Sequence, residues 1–216
     1  MIKTILFDKD GTLIDTEKYY LESYLLAAKD FGRPLTREEA LGFRSLGIPY
    51  NEAYVKKLFG NLVDWKTFYS QRKKYFSKLM EEKSFQERPY AKEALSMLKE
   101  NGYRLAIVTA TAAHRAVSEL SALGLYEFFD EIISAHMVKR GKPAPDVYEF
   151  ACQRLQVLPQ ETIAVEDSPN GVVSAYLAGC NTVMIPDQSR PDKDLQKYLY
   201  AEKETLLDLA KDLCNI

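Results

Sequence analysis

The chain reads as an α/β protein with a parallel, doubly wound sheet covered on both faces and a block of helices inserted after the first strand. Three observations carry that reading. Short apolar runs end abruptly in polar residues at Lys3–Phe7, Tyr103–Val108, Thr162–Val165 and Thr182–Ile185, as buried parallel strands do. After Pro89 these runs alternate with segments of helical period, the pattern of stacked strand–helix–strand units. Between Glu17 and Lys83 only helical patterns occur.

In order along the chain, Lys3–Phe7 is a β-branched and aromatic strand that empties into Asp8-Lys9-Asp10-Gly11-Thr12, a polar turn. From Glu17 to Phe31, apolar Tyr20, Tyr24, Leu25, Ala28 and Phe31 recur at helical spacing until Gly32 and Pro34 end the pattern. Thr36-Arg37-Glu38-Glu39 has the form of a capping box, and two further helices are expected over 49–60 and 64–82. The second half then gives helix 90–101, strand 103–108 ending at Thr109, helix 112–123, a weak strand near Glu131–Ser134, helix 145–155, strand 162–165, helix 170–178 and strand 182–185. Gln188–Asp194 is polar and bounded by Pro, a surface loop. An open sheet of this kind binds ligands at the carboxyl ends of its strands. The inserted helices are therefore expected to cover that crevice as a cap.

Composition excludes several classes. The 216 residues are 46% hydrophobic and 28% charged, enough apolar material for a core and too much for disorder. Lys+Arg 29 against Asp+Glu 31 leaves a net charge of −2, with no basic field for nucleic acid. No apolar run approaches a membrane span, and Asp8 comes too early for a signal peptide; no membrane partner and a cytoplasmic location are the expectation. Cys152, Cys180 and Cys214 are far apart and form no C-x-x-C pair, so buried or idle thiols are expected rather than a disulfide framework or zinc site.

The chemistry lies at the strand ends. Asp8 and Asp10 stand two apart after a strand, with Gly11 to turn the backbone; one such carboxylate can attack or bind a cation while the other exchanges a proton. Asp-x-Asp alone also describes a solvated turn. Here three more strand ends, or segments beside them, supply groups for one phosphoryl site: Thr109 and Thr111 as hydroxyls, Lys142 as a cation, Glu166 and Asp167 as oxygen ligands for a hard metal. Helix capping or solvation accounts for each singly, and much less readily for all together.

Phe7-Asp8-Lys9-Asp10-Gly11-Thr12-Leu13, Val108-Thr109, Gly141-Lys142-Pro143-Ala144-Pro145-Asp146 and Val165-Glu166-Asp167-Ser168-Pro169-Asn170-Gly171 resemble, in order, the four motifs of the haloacid dehalogenase-like hydrolases. The helical insertion resembles the cap of the β-phosphoglucomutase and phosphoglycolate phosphatase-like branch. The resemblance implies a Rossmann-like core over 1–15 and 86–216 and a helical-bundle cap over 16–85. It implies Asp8 as the nucleophile that forms an aspartyl-phosphate and Asp10 as the acid/base. It further implies Mg²⁺ held by Asp8, Asp167 and the Asp10 carbonyl with Glu166 beside it, and phosphoryl oxygens gripped by Thr109, Ala110 and Lys142. Lys9, between the acids, is expected to point away by strand-like alternation and takes no catalytic role.

Asp10 argues for phosphorus chemistry, since the family's dehalogenases lack an acid there. Tyr20 stands where β-phosphoglucomutases usually have histidine, and Thr109-Ala110-Thr111-Ala112-Ala113 lacks their Lys-Asn pair for a second phosphate. Hydrolysis of a small phosphometabolite, such as a sugar phosphate, is the first expectation. A phosphomutase is the alternative, and a phosphometabolite-binding module without turnover ranks below it. A phosphonate hydrolase using Lys56 or Lys57 also ranks low. Arg44 and Tyr20 are the cap residues expected at the substrate; His114 and His136 are expected to be solvated. Hinges are expected near Thr16 and 84–88, and the chain is expected to act as a monomer.

Overall fold

The computed structural model describes residues 2–215. Its six described strands are β1 (Thr4–Phe7), β2 (Arg104–Thr109), β3 (Glu131–Ser134), β4 (Thr162–Glu166), β5 (Asn181–Met184) and β6 (Ala201–Glu202). They form one sheet in the order β3-β2-β1-β4-β5-β6, and every pairing is parallel. The helices are α1 (Glu17–Asp30), α2 (Arg37–Leu41), α3 (Tyr50–Phe59), α4 (Trp65–Lys83), α5 (Ala91–Glu100), α6 (Ala113–Ala122), α7 (Asp146–Leu155), α8 (Pro169–Leu177), α9 (Lys193–Gln196) and α10 (Leu206–Cys214).

Alternation along each strand splits the core into two layers. Ile5, Phe7, Leu105, Ile107, Ile163 and Val165 face α5 and α10. Leu6, Ala106, Val108 and Ala164 pack instead on Val147, Tyr148, Ala151 and Ala175 of α7 and α8. Because both faces are covered, all four β1 residues are buried. From β1 the chain builds outward through β2 and β3, then returns to place β4 on the other flank of β1. The carboxyl ends of β1 and β4 thus meet where the winding reverses, with Phe7 in register with Val165.

Helices α1–α4 all lie between β1 and α5 and carry an apolar cluster of their own, built on Tyr24, Ala28, Phe43, Phe59 and Phe68. Tyr24 stacks on Phe43 with ring centroids 4.4 Å apart. The insertion leaves and rejoins the core through two adjacent segments: Asp15 N donates to Gln86 O at 2.9 Å and Arg88 N to Leu13 O at 2.8 Å. The Thr36–Glu39 capping box forms as expected. No helix among the described residues is long and apolar enough to cross a membrane.

The carboxyl-terminal part holds elements beyond those expected from sequence. β6 and α9 are two and four residues long, too short for a periodic signal, whereas α10 opens with a Thr205–Asp208 capping box. The polar stretch from Gln188 is not a free loop. Arg37 donates to Gln188 and Arg44 to Ser189, both half-buried, and Asp192 caps α9.

Candidate active site

Asp8 continues the β1 ladder by donating its N–H to Val165 O at 2.9 Å. The chain then turns at once, Lys9 O accepting from both Leu13 N and Ile14 N at 3.0 Å. Gly11 sits at φ +82°, and a Cβ there would meet the Asp167 carboxylate and lie 2.7 Å from Glu17 Cγ. Only glycine lets the turn pass this close to the end of β4.

Lys142, in the segment before α7, is fully buried and threads between two acids. Its Nζ donates to Asp8 Oδ1 at 2.6 Å, Glu166 Oε1 at 2.5 Å and Val108 O at 3.2 Å, using all three protons. Tyr148 from α7 adds a hydroxyl donor to Glu166 Oε1 at 2.5 Å. Asp10 is held differently. Its Oδ1 accepts from Thr16 Oγ1 at 2.6 Å and Lys9 Nζ at 2.8 Å, and its Oδ2 from Thr111 Oγ1 at 2.8 Å.

Lys9 therefore does not point away from the acids. It is buried and bridges Asp10 to Glu119 of α6. Strand alternation fails because the strand has ended: Lys9 is the first residue of the turn, with its carbonyl already capping Leu13 and Ile14.

The remaining carboxylate is left open. Neither oxygen of buried Asp167 has a hydrogen-bond partner, nor do Glu166 Oε2 and Glu17 Oε2. Arg44 Nη1 lies 3.7 Å from Asp167 Oδ2. Asp8, Glu166 and Asp167 each offer an oxygen within 4.8 Å of the others. Asp8, Asp10, Glu17, Glu119, Glu166 and Asp167 face Lys9, Arg44, Arg115 and Lys142, so with every carboxyl ionised the acids outnumber the cations by two. Burial, then Glu166 and Asp10, push the Asp8 carboxyl up to about 7 against the pull of Lys142. Burial raises Asp167 well above the carboxylate range, Arg44 opposing and Asp8 and Glu166 adding to it. Burial also opposes ionisation of Asp10, but Lys9, Arg115 and the bonds from Lys9 and Thr16 prevail and hold it below its ordinary value.

Residues 5–185 match the family model described as haloacid dehalogenase-like hydrolase. This chain belongs to that family. A relative from Thermotoga maritima, named phosphorylated carbohydrates phosphatase, is 33% identical over 190 residues, 84% of each chain. The pyrophosphatase PpaX of Bacillus mycoides is 30% identical over 217 residues, 100% of this chain and 96% of its own. Among solved structures, a Thermotoga maritima protein assigned as a β-phosphoglucomutase superposes over 100% of both chains with a TM-score of 0.72 and 26% identity.

In this hydrolase a cavity of about 640 Å³ opens between the strand ends and the inserted helices. Asp8, Asp10, Ala110, Thr111, Tyr20 and Arg44 line it. Thr109, Lys142, Glu166 and Asp167 are buried without lining it; Thr109 Oγ1 accepts from Thr111 N at 3.0 Å. Tyr20 reaches the cavity while its ring stacks on Phe76 at 4.1 Å and its hydroxyl meets Arg115. His114 and His136 are exposed, yet both line the cavity.

Six charged residues at this site escaped the sequence reading. Glu17, Arg115, Lys139 and, from α4, Arg72 and Lys73 line the cavity, and Glu119 pairs with Lys9 beside it. An acid in the first turn of a helix, or an arginine inside one, reads as ordinary surface charge. Tyr20, three residues on and on the same face of α1, is the signal that could have found Glu17.

Proposed function

We propose that the chain is a Mg²⁺-dependent phosphomonoesterase that hydrolyses a small phosphorylated carbohydrate through an aspartyl-phosphate at Asp8. The observation that carries this reading is the open carboxylate set: three buried acids share one spot, Asp167 has neither oxygen hydrogen-bonded, and acids outnumber the cations around them by two. Hard oxygen donors in that number suit Mg²⁺, so the residues present fit the ion. Asp8, Asp167 and the Asp10 carbonyl would hold it, with Glu166 beside them. When bound, it supplies the missing charge and polarises the phosphoryl group.

The chain's own residues do the rest. Lys142 fixes the Asp8 carboxylate for in-line attack on phosphorus and, with Thr109 and the Ala110 N–H, balances the charge that spreads over the phosphoryl oxygens. Asp10 lines the cavity from a cradle of Thr16, Lys9 and Thr111. In the ionised form that Lys9 and Thr16 favour it takes a proton from the water that opens the acyl phosphate, and it gives one to the leaving alcohol only once it has itself been protonated. Arg44 and Tyr20, from the insertion at residues 16–85 acting as a cap on the core, face the substrate. Hydrolysis is favoured over phosphomutase chemistry by the turn after β2. Thr111 is committed to Asp10 there, and Ala112 and Ala113 have no polar side chain to grip a second phosphate.

The test is phosphate release from sugar phosphates, phosphoglycolate, nucleotides and pyrophosphate with and without Mg²⁺, beside Asp8→Asn. Metal-dependent turnover lost in Asp8→Asn is expected. Metal-independent turnover retained in that variant would overturn the mechanism. Conversion of β-glucose 1-phosphate to glucose 6-phosphate without phosphate release would restore the mutase reading.

A further inference from the structure

Arg72 stands out among the buried cations. It is 3% exposed, yet its Nε and Nη1 have no hydrogen-bond partner and no carboxylate lies within 4 Å among the described residues. Lys9, Lys142 and Arg44 each have an acid opposite. What surrounds the Arg72 guanidinium is aromatic: Tyr69 at 4.5 Å, Tyr20 and Tyr24 at 5.3 Å and Phe76 at 5.8 Å from the ring centroids. Ring faces offset part of a buried charge. They offer no lone pair to its N–H groups, and an unpaired buried cation is costly to keep.

Cations also line the cavity from the insertion. Its acids, Asp8, Asp10 and Glu17, belong to the strand-end side or to the start of α1. Arg72 and Lys73 of α4 face it from the insertion, and Lys73 and Lys139 have no ion pair within 4 Å among the described residues. A phosphoryl group at Asp8 accounts for one end of the roughly 640 Å³, a volume within the range that holds a whole metabolite.

We propose that Arg72 is the receptor for a second oxyanion on the substrate, a carboxylate or phosphate remote from the phosphoryl group that is cleaved. The aromatic box holds the guanidinium in place before the ligand arrives and leaves its Nε and Nη1 without a competing acceptor. The substrate class is therefore a phosphorylated carbohydrate with an anionic far end. This rests on the phosphatase reading above but depends on a separate group.

Three probes test it: glucose 6-phosphate with one anionic end, 6-phosphogluconate with a carboxylate at the other, and fructose 1,6-bisphosphate with a phosphate there. Expected is a kcat/KM at least about tenfold higher for one of the two-anion probes, a preference that falls at least tenfold in Arg72→Met and partly in Arg72→Lys. Which probe wins distinguishes carboxylate from phosphate. Equal kcat/KM for all three, or a preference kept in Arg72→Met, overturns the proposal. If Arg72→Met does not fold, Arg72→Lys decides on the same ratio, because it retains the charge and loses the fork. Calorimetry on Asp8→Asn separates the two readings. Tighter binding of a two-anion probe, weakened by Arg72→Lys, supports the Arg72 site even if no probe is hydrolysed; equal binding of all three rejects it even if all are.

Discussion

Lys142 and Asp8 are joined by a 2.6 Å bond between Nζ and Oδ1, with the lysine fully buried and the aspartate 2% exposed. The same ammonium holds Glu166, so one positive charge separates two carboxylates that would otherwise repel. Replacing it leaves uncompensated buried charge. Lys142→Met is expected to cost about 3 kcal/mol of stability and to lower kcat by about 10²-fold or more, read by denaturant unfolding and steady-state kinetics. Wild-type stability and rate in this variant would show that the pair carries neither burden.

Lys9 bridges Asp10 and Glu119 in the same way. Lys9→Met and Glu119→Gln are each expected to destabilise the chain, and the double variant to lose less than the sum of the two, with a coupling of about 1–3 kcal/mol. Strict additivity in a double-mutant cycle would show that the two groups do not act on one another.

Metal and Asp167 are expected to oppose one another in the free protein. Without a cation, buried Asp167 has no hydrogen-bond donor, and Arg44 at 3.7 Å is set against Asp8 and Glu166, so Asp167→Asn should raise the melting temperature of chelator-treated protein. Mg²⁺ should stabilise the wild type, by about 2.7 kcal/mol at a hundredfold excess over Kd, and leave Asp167→Asn unmoved. Thermal scans with and without Mg²⁺ read both signs at once.

Gly47 and Gly141 mark the point where the insertion touches the core backbone. Gly47 N donates to Lys142 O and Gly141 N to Ile48 O, each at 2.8 Å. A Cβ on Gly47 would lie 2.5 Å from the Gly141 Cα. Gly47→Ala must therefore push the two segments apart, at a cost of about 1–3 kcal/mol, and shift the backbone of Lys142. A fall in kcat/KM larger than the loss of stability explains is expected. Unchanged kinetics would show that this contact does not position Lys142.

Ahead of α2 the Arg33 guanidinium grips Glu39 of that helix through two 2.7 Å bonds, and Thr36 N adds a third. These bonds hold the Glu39 carboxyl down at about 2. A depressed folded value means that the contribution to stability is complete above the ordinary value of 4.5 and is lost as pH falls from there toward 2. Carbon-detected NMR titration should find the low midpoint, and Arg33→Gln should return it toward 4.5. A midpoint unmoved by that change would assign the shift to the cap alone.

Much of this was legible in the chain. The strands at Thr4–Phe7, Arg104–Thr109 and Thr162–Glu166 announce themselves as apolar runs with polar ends, and Asp8, Asp10, Glu166 and Asp167 stand at those ends, with Lys142 in the segment before α7. The weak strand near Glu131 is real and pairs with β2. Lys9 was misread because alternation was extended one residue past the strand. Short β6 and α9 were missed because two and four residues carry no period.

The sequence by itself determined the alternation of strands and helices, the inserted helical block and the order of polar strand ends, because period, turn chemistry and steric preference act over a few residues. The tertiary structure decided the pairings. Lys9 meets Glu119 across 110 residues and Lys142 meets Asp8 across 134, Arg44 reaches Asp167, and Arg72 is enclosed by rings from α1 and α4. Charge gains its chemical meaning from burial and from the nearest opposite charge, and both are set by how distant segments cross.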